Sequence, residues 1–101
     1  MKKLFISQPM KDKTDEQILQ EREKAIAAAK QKVGDDVEVI DSFFKDAPHD
    51  AKPLWFLGKS LELLASADVA YFAPEWHKYS GCKIEHECAV QYGIETIESE
   101  E

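Results

Sequence analysis

The chain has 101 residues, of which 44% are hydrophobic and 33% charged, and its formal net charge is −7 at pH 7. That length supports one domain around one core, in which roughly two thirds of the surface of the unfolded chain becomes buried. The acidic balance argues against nucleic-acid polymers and anionic membranes as main partners, and no run approaches the roughly 18 apolar residues of a membrane span.

Lys3-Leu4-Phe5-Ile6-Ser7 reads as a short buried strand. Gln8-Pro9-Met10 stops it, because Pro9 has no N–H to give to a ladder. The apolar run at this start is too short for a signal-peptide core, so a cytoplasmic setting is expected, with Cys82 and Cys88 as reduced thiols. Thr14 to Val33 reads as a long helix. Thr14 with Gln17 three residues on has the pattern of a capping box, and Asp15 and Glu16 suit the positive helix end. Ile18, Arg22, Ala25, Ile26, Ala29 and Val33 fall near one face. Arg22 interrupts that apolar stripe and is expected to pair with a buried carboxylate. Gly34 supplies the stop.

Val37 to Asp41 reads as a second strand, and Ser42 to Lys52 as a loop carrying Phe43, Phe44, Pro48, His49 and Asp50. Pro53 suits the first turn of a helix. Leu54, Leu57, Leu61 and Leu64 follow at spacings of three, four and three, an amphipathic pattern. This stripe faces either the sheet or a second copy, and a homo-oligomer is expected. Asp68 to Ala73 is a nearly all-apolar third strand, as a parallel strand covered on both faces should be. Pro74 to Tyr79 is a loop. Ser80 is expected to cap a third helix whose apolar stripe is Ile84, Cys88 and Tyr92 and which Gly93 ends. Ile94 to Ser99 reads as a short fourth strand. The acidic end, 95–101, holds four of the twenty carboxylates and is expected to fray.

The alternation βαβαβα(β) predicts a single α/β domain over 1–101. Its expected form is a three-layer α/β/α sandwich with a short parallel sheet of four to five strands, flavodoxin- or Rossmann-like. Ligands of such sheets bind beyond the carboxyl ends of the strands. Those ends are Ser7-Gln8-Pro9-Met10, Asp41-Ser42-Phe43 and Pro74-Glu75-Trp76. Glu85 lies one turn inside the third helix, and side chains tilt toward the helix N-terminus, so its carboxylate can lean back toward this rim. An ionised carboxylate there suits attack on an electrophilic carbon or stabilisation of a cation. Trp76 and Tyr79 suit stacking on a base, and equally suit covering the core. Ser80, Gly81 and the amides after them suit a phosphate. Asp68 sits at the opposite end of the sheet and reads as structural. Cys82 and His86 share a helix face, with His77 nearby, but no standard zinc spacing is present; neither a metal nor a cofactor is expected.

The segments Lys3 to Met10, Ala67-Asp68-Val69-Ala70-Tyr71-Phe72 and Gly81-Cys82-Lys83-Ile84-Glu85-His86-Glu87-Cys88-Ala89 resemble, in order and spacing, the nucleoside 2-deoxyribosyltransferase-like superfamily. Gly81, Glu85 and Ala89 are in register with its catalytic helix. The resemblance covers nearly the whole chain and implies the same α/β layout. It implies Glu85 as a nucleophile toward the anomeric carbon of a deoxynucleoside or its monophosphate, in retaining glycoside chemistry. By their place at the strand-end rim, Ser7, Gln8, Pro9, Met10, Asp41, Phe43, Trp76, Tyr79, Ser80 and Gly81 would line the substrate. Departures are specific. Tyr79 stands where the transferases carry an Asp six residues before the nucleophile. Ser60 stands close to the place of another Asp, Glu87 replaces a Gly, and Gln8 replaces the opening Gly. Glu75, Asp41 and Asp50 are the topological candidates for a second carboxylate. Two other readings stand beside the enzyme: a non-catalytic nucleotide-binding module, and a small structural or regulatory protein whose rim aromatics meet a partner.

Overall fold

The computed structural model describes residues 1–8, 13–40 and 48–99. Among them four strands, β1 (Lys2–Ser7), β2 (Val37–Val39), β3 (Val69–Phe72) and β4 (Glu95–Glu98), form one sheet in the order β2-β1-β3-β4. Every pairing is parallel: Leu4 lies opposite Val39 and Val69, Ser7 opposite Phe72, and Val69 opposite Glu95. Three α-helices connect them, α1 (Asp15–Val33), α2 (Pro53–Leu64) and α3 (Ser80–Gln91). A short 3₁₀ turn, Trp76–Lys78, precedes α3.

The strand order fixes where the helices go. The chain moves one way from β1 to β2, then crosses back over β1 to reach β3 and β4. Right-handed crossovers therefore put α1 on one face and α2 with α3 on the other. The core divides accordingly. Leu4, Val69, Tyr71 and Ala73 pack with Ala25 and Ala29 of α1. Phe5, Ala70 and Phe72 pack with Leu64 of α2 and Ala89 of α3. Alternate residues of β1 and β3 feed opposite layers because side chains of a strand alternate, and both strands are covered on both faces. The sandwich is thus a three-layer α/β/α domain with a four-stranded parallel sheet.

The helix signals of α1 hold in detail. Thr14 is the N-cap, Gln17 closes the capping box, and Gly34 ends the helix in the left-handed conformation with φ 70°. Pro53 occupies the first turn of α2 as expected. Its leucine stripe is only partly inward: Leu64 is buried, whereas Leu54 is 76% exposed. Glu95–Glu98, expected both as part of a frayed acidic end and within a fourth strand, is β4, paired along its length with β3.

Two expectations for α3 require correction. Ser80 is the first helical residue, and Tyr79 is the N-cap, with no side-chain capping bond. The 3₁₀ turn is the cause: it brings Tyr79 N–H back to Trp76 O and leaves Tyr79 extended, so the helix ladder starts from Tyr79 O. Of the predicted stripe only Cys88 packs against the core. Ile84 is 42% exposed and Tyr92 83%, while Cys82, Glu85 and Ala89 are buried. The apolar pattern of α3 is too weak to set its rotation, and the fit of small Ala89 against the sheet sets it instead. Among the described residues no helix is long and apolar enough to cross a membrane.

Candidate functional site

The rotation of α3 decides what Glu85 is. Its carboxyl is turned down onto the sheet, and the residue is 8% exposed. Below it lies Ser7, the last residue of β1, itself 2% exposed. The Ser7 Oγ–H donates to Glu85 Oε1 at 2.6 Å, a short hydrogen bond of the kind a charged acceptor makes. Ser7 is held on its own side by the ladder, where Ala73 N–H donates to Ser7 O at 3.0 Å. Ser60, half-buried on α2, is the third member of this cluster, and Cys82, one turn before Glu85, is the fourth.

Burial pushes the Glu85 carboxyl above its usual range, and the hydroxyls of Ser7 and then Ser60 oppose that shift. Burial also pushes the Cys82 thiol up; the Ser7 hydroxyl opposes this and the Glu85 charge adds to it. Cys82 is therefore a poor nucleophile despite its place in the first turn of α3, since attack needs the thiolate. Glu85 sits where two hydroxyls stabilise its ionised form while the surrounding protein favours the neutral one. This is a balance suited to a carboxyl that must change protonation or bond state.

The other expected site residues fall in different places. Ser7, expected to line the substrate, is turned into the protein and bonded to Glu85. Trp76 is half-buried and its ring stacks on His86 at 4.1 Å and 17°, with Phe72 at 5.7 Å. It thus covers the core layer between β3 and α3. Glu75 has a left-handed backbone (φ 68°) and an exposed side chain paired with Lys78 at 3.2 Å. It borders the α1 side of the sheet, so it is not a partner for Glu85 across the α2–α3 side. Asp50 is exposed in a turn. Tyr79 and Gly81 are half-buried and Ser80 is exposed at the start of α3; a Cβ built on Gly81 would meet nothing within 4 Å. Pro9, Met10, Asp41 and Phe43 lie outside the described residues.

Gln8 points the other way from Ser7. It borders a groove of about 340 Å³ over the carboxyl ends of β1 and β3, together with Lys13, Gln17, Glu21, Pro74 and Glu75. Glu21 on this side accepts the Tyr71 hydroxyl at 2.7 Å. The buried Oε1 of Gln8 accepts no hydrogen bond among the described residues. Asp68 is structural, as expected: its Oδ2 accepts the Lys3 N–H at 2.8 Å, at the far end of the sheet.

The sequence marks Ser60 only as a departure from a family pattern, and Cys82 only as a reduced thiol and in a zinc reading that its spacing does not support. Cys82 stands beside Glu85 by helical spacing alone, whereas the approach of Ser60 to Glu85 depends on the rotation of α3 against α2, which local spacing does not encode. The same holds for His86, which meets Glu98 of β4 at 2.7 Å. Among the described residues no three His, Cys, Asp or Glu side chains converge as metal ligands. No protein-family model matches this chain, and no curated protein matches it.

Proposed function

We propose that this protein cleaves the N-glycosidic bond of a deoxynucleoside or deoxynucleoside monophosphate through Glu85, releasing the base and passing the sugar to water or to a second base. The observation that carries this reading is the buried Glu85 carboxyl, hydrogen-bonded by Ser7 at the carboxyl end of the central strand β1. That position is where open α/β sheets hold their ligands. The likeness of the segment Gly81 to Ala89 to the deoxyribosyltransferase-like helix gives the carboxyl its role.

In this reading a Glu85 oxygen bonds to C1′ of the sugar as the bond from C1′ to the base nitrogen breaks. The base leaves with that electron pair and takes a proton from solvent. Water, or the N–H nitrogen of an incoming base, then bonds to C1′ as the bond from C1′ to the Glu85 oxygen breaks; it gives up its proton to solvent, and the carboxylate of Glu85 is restored. Burial favours this chemistry, because charge developing on the sugar meets a carboxylate in a poorly solvated setting.

The test is detection of free base by chromatography after incubating the protein with each deoxynucleoside and each monophosphate, with and without an acceptor base, beside a Glu85→Ala control. Base release by the parent protein and not by the control supports the reading, and base exchange makes the protein a transferase. Absence of product from every substrate overturns it. A second reading, a nucleotide-binding module without turnover, is favoured by one observation. The Glu85 carboxyl is shifted by burial and by the Ser7 and Ser60 hydroxyls, with no carboxylate among the causes, whereas a retaining glycosidase relies on a second carboxyl group close by. Saturable binding without product, measured by calorimetry on the same compounds, identifies that case.

A further inference from the structure

We infer that Ser7 is a positioning residue: its hydroxyl anchors Oε1 of Glu85, with Ser60 as a second donor to the same carboxyl, so that Oε2 is the attacking oxygen of the proposed reaction. The inference rests on the proposed reaction for the role of Oε2 and on geometry for the anchor.

The anchor is rigid. Ser7 ends a strand paired on one side with β3, its carbonyl is held by Ala73 N–H, and its side chain is enclosed. A serine has one rotatable side-chain bond ahead of its hydroxyl, so a backbone held in the ladder fixes the Oγ closely. Glutamate has three, and without a partner its carboxyl would sample several positions at a cost to any aligned attack. The bond of 2.6 Å removes that freedom at one oxygen. Oε1 is thus held at the end of β1.

The anchor also has a chemical consequence in each half of the reaction. When Oε2 bonds to C1′, Oε1 becomes the ester carbonyl oxygen and continues to accept from Ser7. When water or a base displaces the sugar, the C1′–Oε2 bond breaks and its electron pair returns to the carboxylate. A donor already in place at Oε1 stabilises that departing charge. Ser7 therefore acts most strongly on breakdown of the intermediate, through Glu85 and without touching substrate. Loss of a hydrogen bond to a charged group of this kind corresponds to roughly a ten- to hundredfold loss of rate.

The experiment is a ¹³C titration of the Glu85 side-chain carboxyl by NMR in the parent protein, Ser7→Ala and Ser7→Thr, paired with turnover on the best substrate. The expected result is a Glu85 midpoint displaced further upward in Ser7→Ala and restored in Ser7→Thr, with kcat falling roughly ten- to hundredfold in Ser7→Ala while KM changes little. A folded Ser7→Ala whose Glu85 midpoint equals that of the parent overturns the anchor. If Ser7→Ala does not fold, the parent protein decides: a slowly exchanging Ser7 hydroxyl proton that shifts as Glu85 titrates supports the anchor, and its absence overturns it. A displaced midpoint in a protein without turnover keeps the anchor and removes the reaction. An unchanged midpoint with turnover keeps the reaction and removes the anchor.

Discussion

His86 of α3 holds Glu98 of β4 at 2.7 Å, Nε2 to Oε1, while Trp76 lies flat against the imidazole at 4.1 Å. A carboxylate only accepts, so Nε2 carries the proton. The His86 bond is the first cause holding the Glu98 carboxyl below its usual range, and the Thr96 hydroxyl acts in the same sense. One side chain thus joins the last helix, the last strand and the 3₁₀ turn.

Replacing His86 by Ala is expected to lower stability at neutral pH by about 1–2 kcal/mol, from the lost ring contacts and a solvent-screened hydrogen bond. That corresponds to a fall in Tm of roughly 4–16 °C for a domain of this size. Because the folded-state pKa of Glu98 is depressed, its share of stability is present above the unfolded value and is lost as pH falls through the folded one. Calorimetric melts of the parent and His86→Ala should therefore converge partly on acidification. Melts that differ by the same amount from acid to neutral pH would leave only the ring contacts as the explanation.

Glu85 has the opposite sign. Its folded-state carboxyl holds its proton more tightly than the unfolded chain does, so its contribution is greatest below the unfolded pKa. It declines as pH rises through the folded one. Glu85→Gln keeps an acceptor for Ser7 and carries no charge. It is expected to match the parent in acid and to become the more stable protein toward neutral pH, as read by urea unfolding at several pH values. A gap that shrinks as pH rises would contradict the burial argument.

The two thiols should differ in reactivity. Cys82 is buried and its thiol is pushed up, in part by the charge on Glu85, and Cys88 is half-buried. With a chromogenic disulfide at mildly alkaline pH, Cys88→Ser is expected to leave only a slow phase that denaturant accelerates. Cys82→Ser is expected to retain the faster phase. Combining Glu85→Gln with Cys88→Ser should quicken the slow phase by removing a neighbouring charge; no change would separate the two groups.

The capping box of α1 offers a check on local structure. Thr14 Oγ1 accepts from Gln17 N–H at 3.1 Å, and Gln17 Oε1 accepts from Thr14 N–H at 2.9 Å. Thr14→Ala should cost about 1 kcal/mol in denaturant melts, and Thr14→Ser much less. Equal losses in both would mean that the cap contributes little to the folded state.

This cap shows why so much of the fold was legible. Thr14, Gln17, Gly34, Pro53 and Gly93 act within one turn of themselves, and the apolar run Val69–Phe72 needs cover on both faces wherever it goes. What short-range signals do not carry is the rotation of a weakly amphipathic helix about its own axis. Ile84 and Tyr92 have the composition of a buried stripe, yet Cys82, Glu85 and Ala89 take it, with Ala89 packed in the core layer of Phe5, Ala70 and Phe72. Glu85 was thus identifiable as a candidate from its place near a strand end. Its burial and its partners Ser7 and Ser60 were not, since they arise from packing between distant segments.

Ser7 and Gln8 are neighbours in sequence that serve opposite sides of the sheet, one holding Glu85 and the other bordering the groove beside α1. The phase that separates them is the same phase that sends Leu4 and Phe5 into different core layers. A one-residue slip of β1 in its register would exchange all four at once. The contacts that hold Leu4 and Phe5 in their separate core layers are therefore the same ones that hold the Ser7 hydroxyl under Glu85.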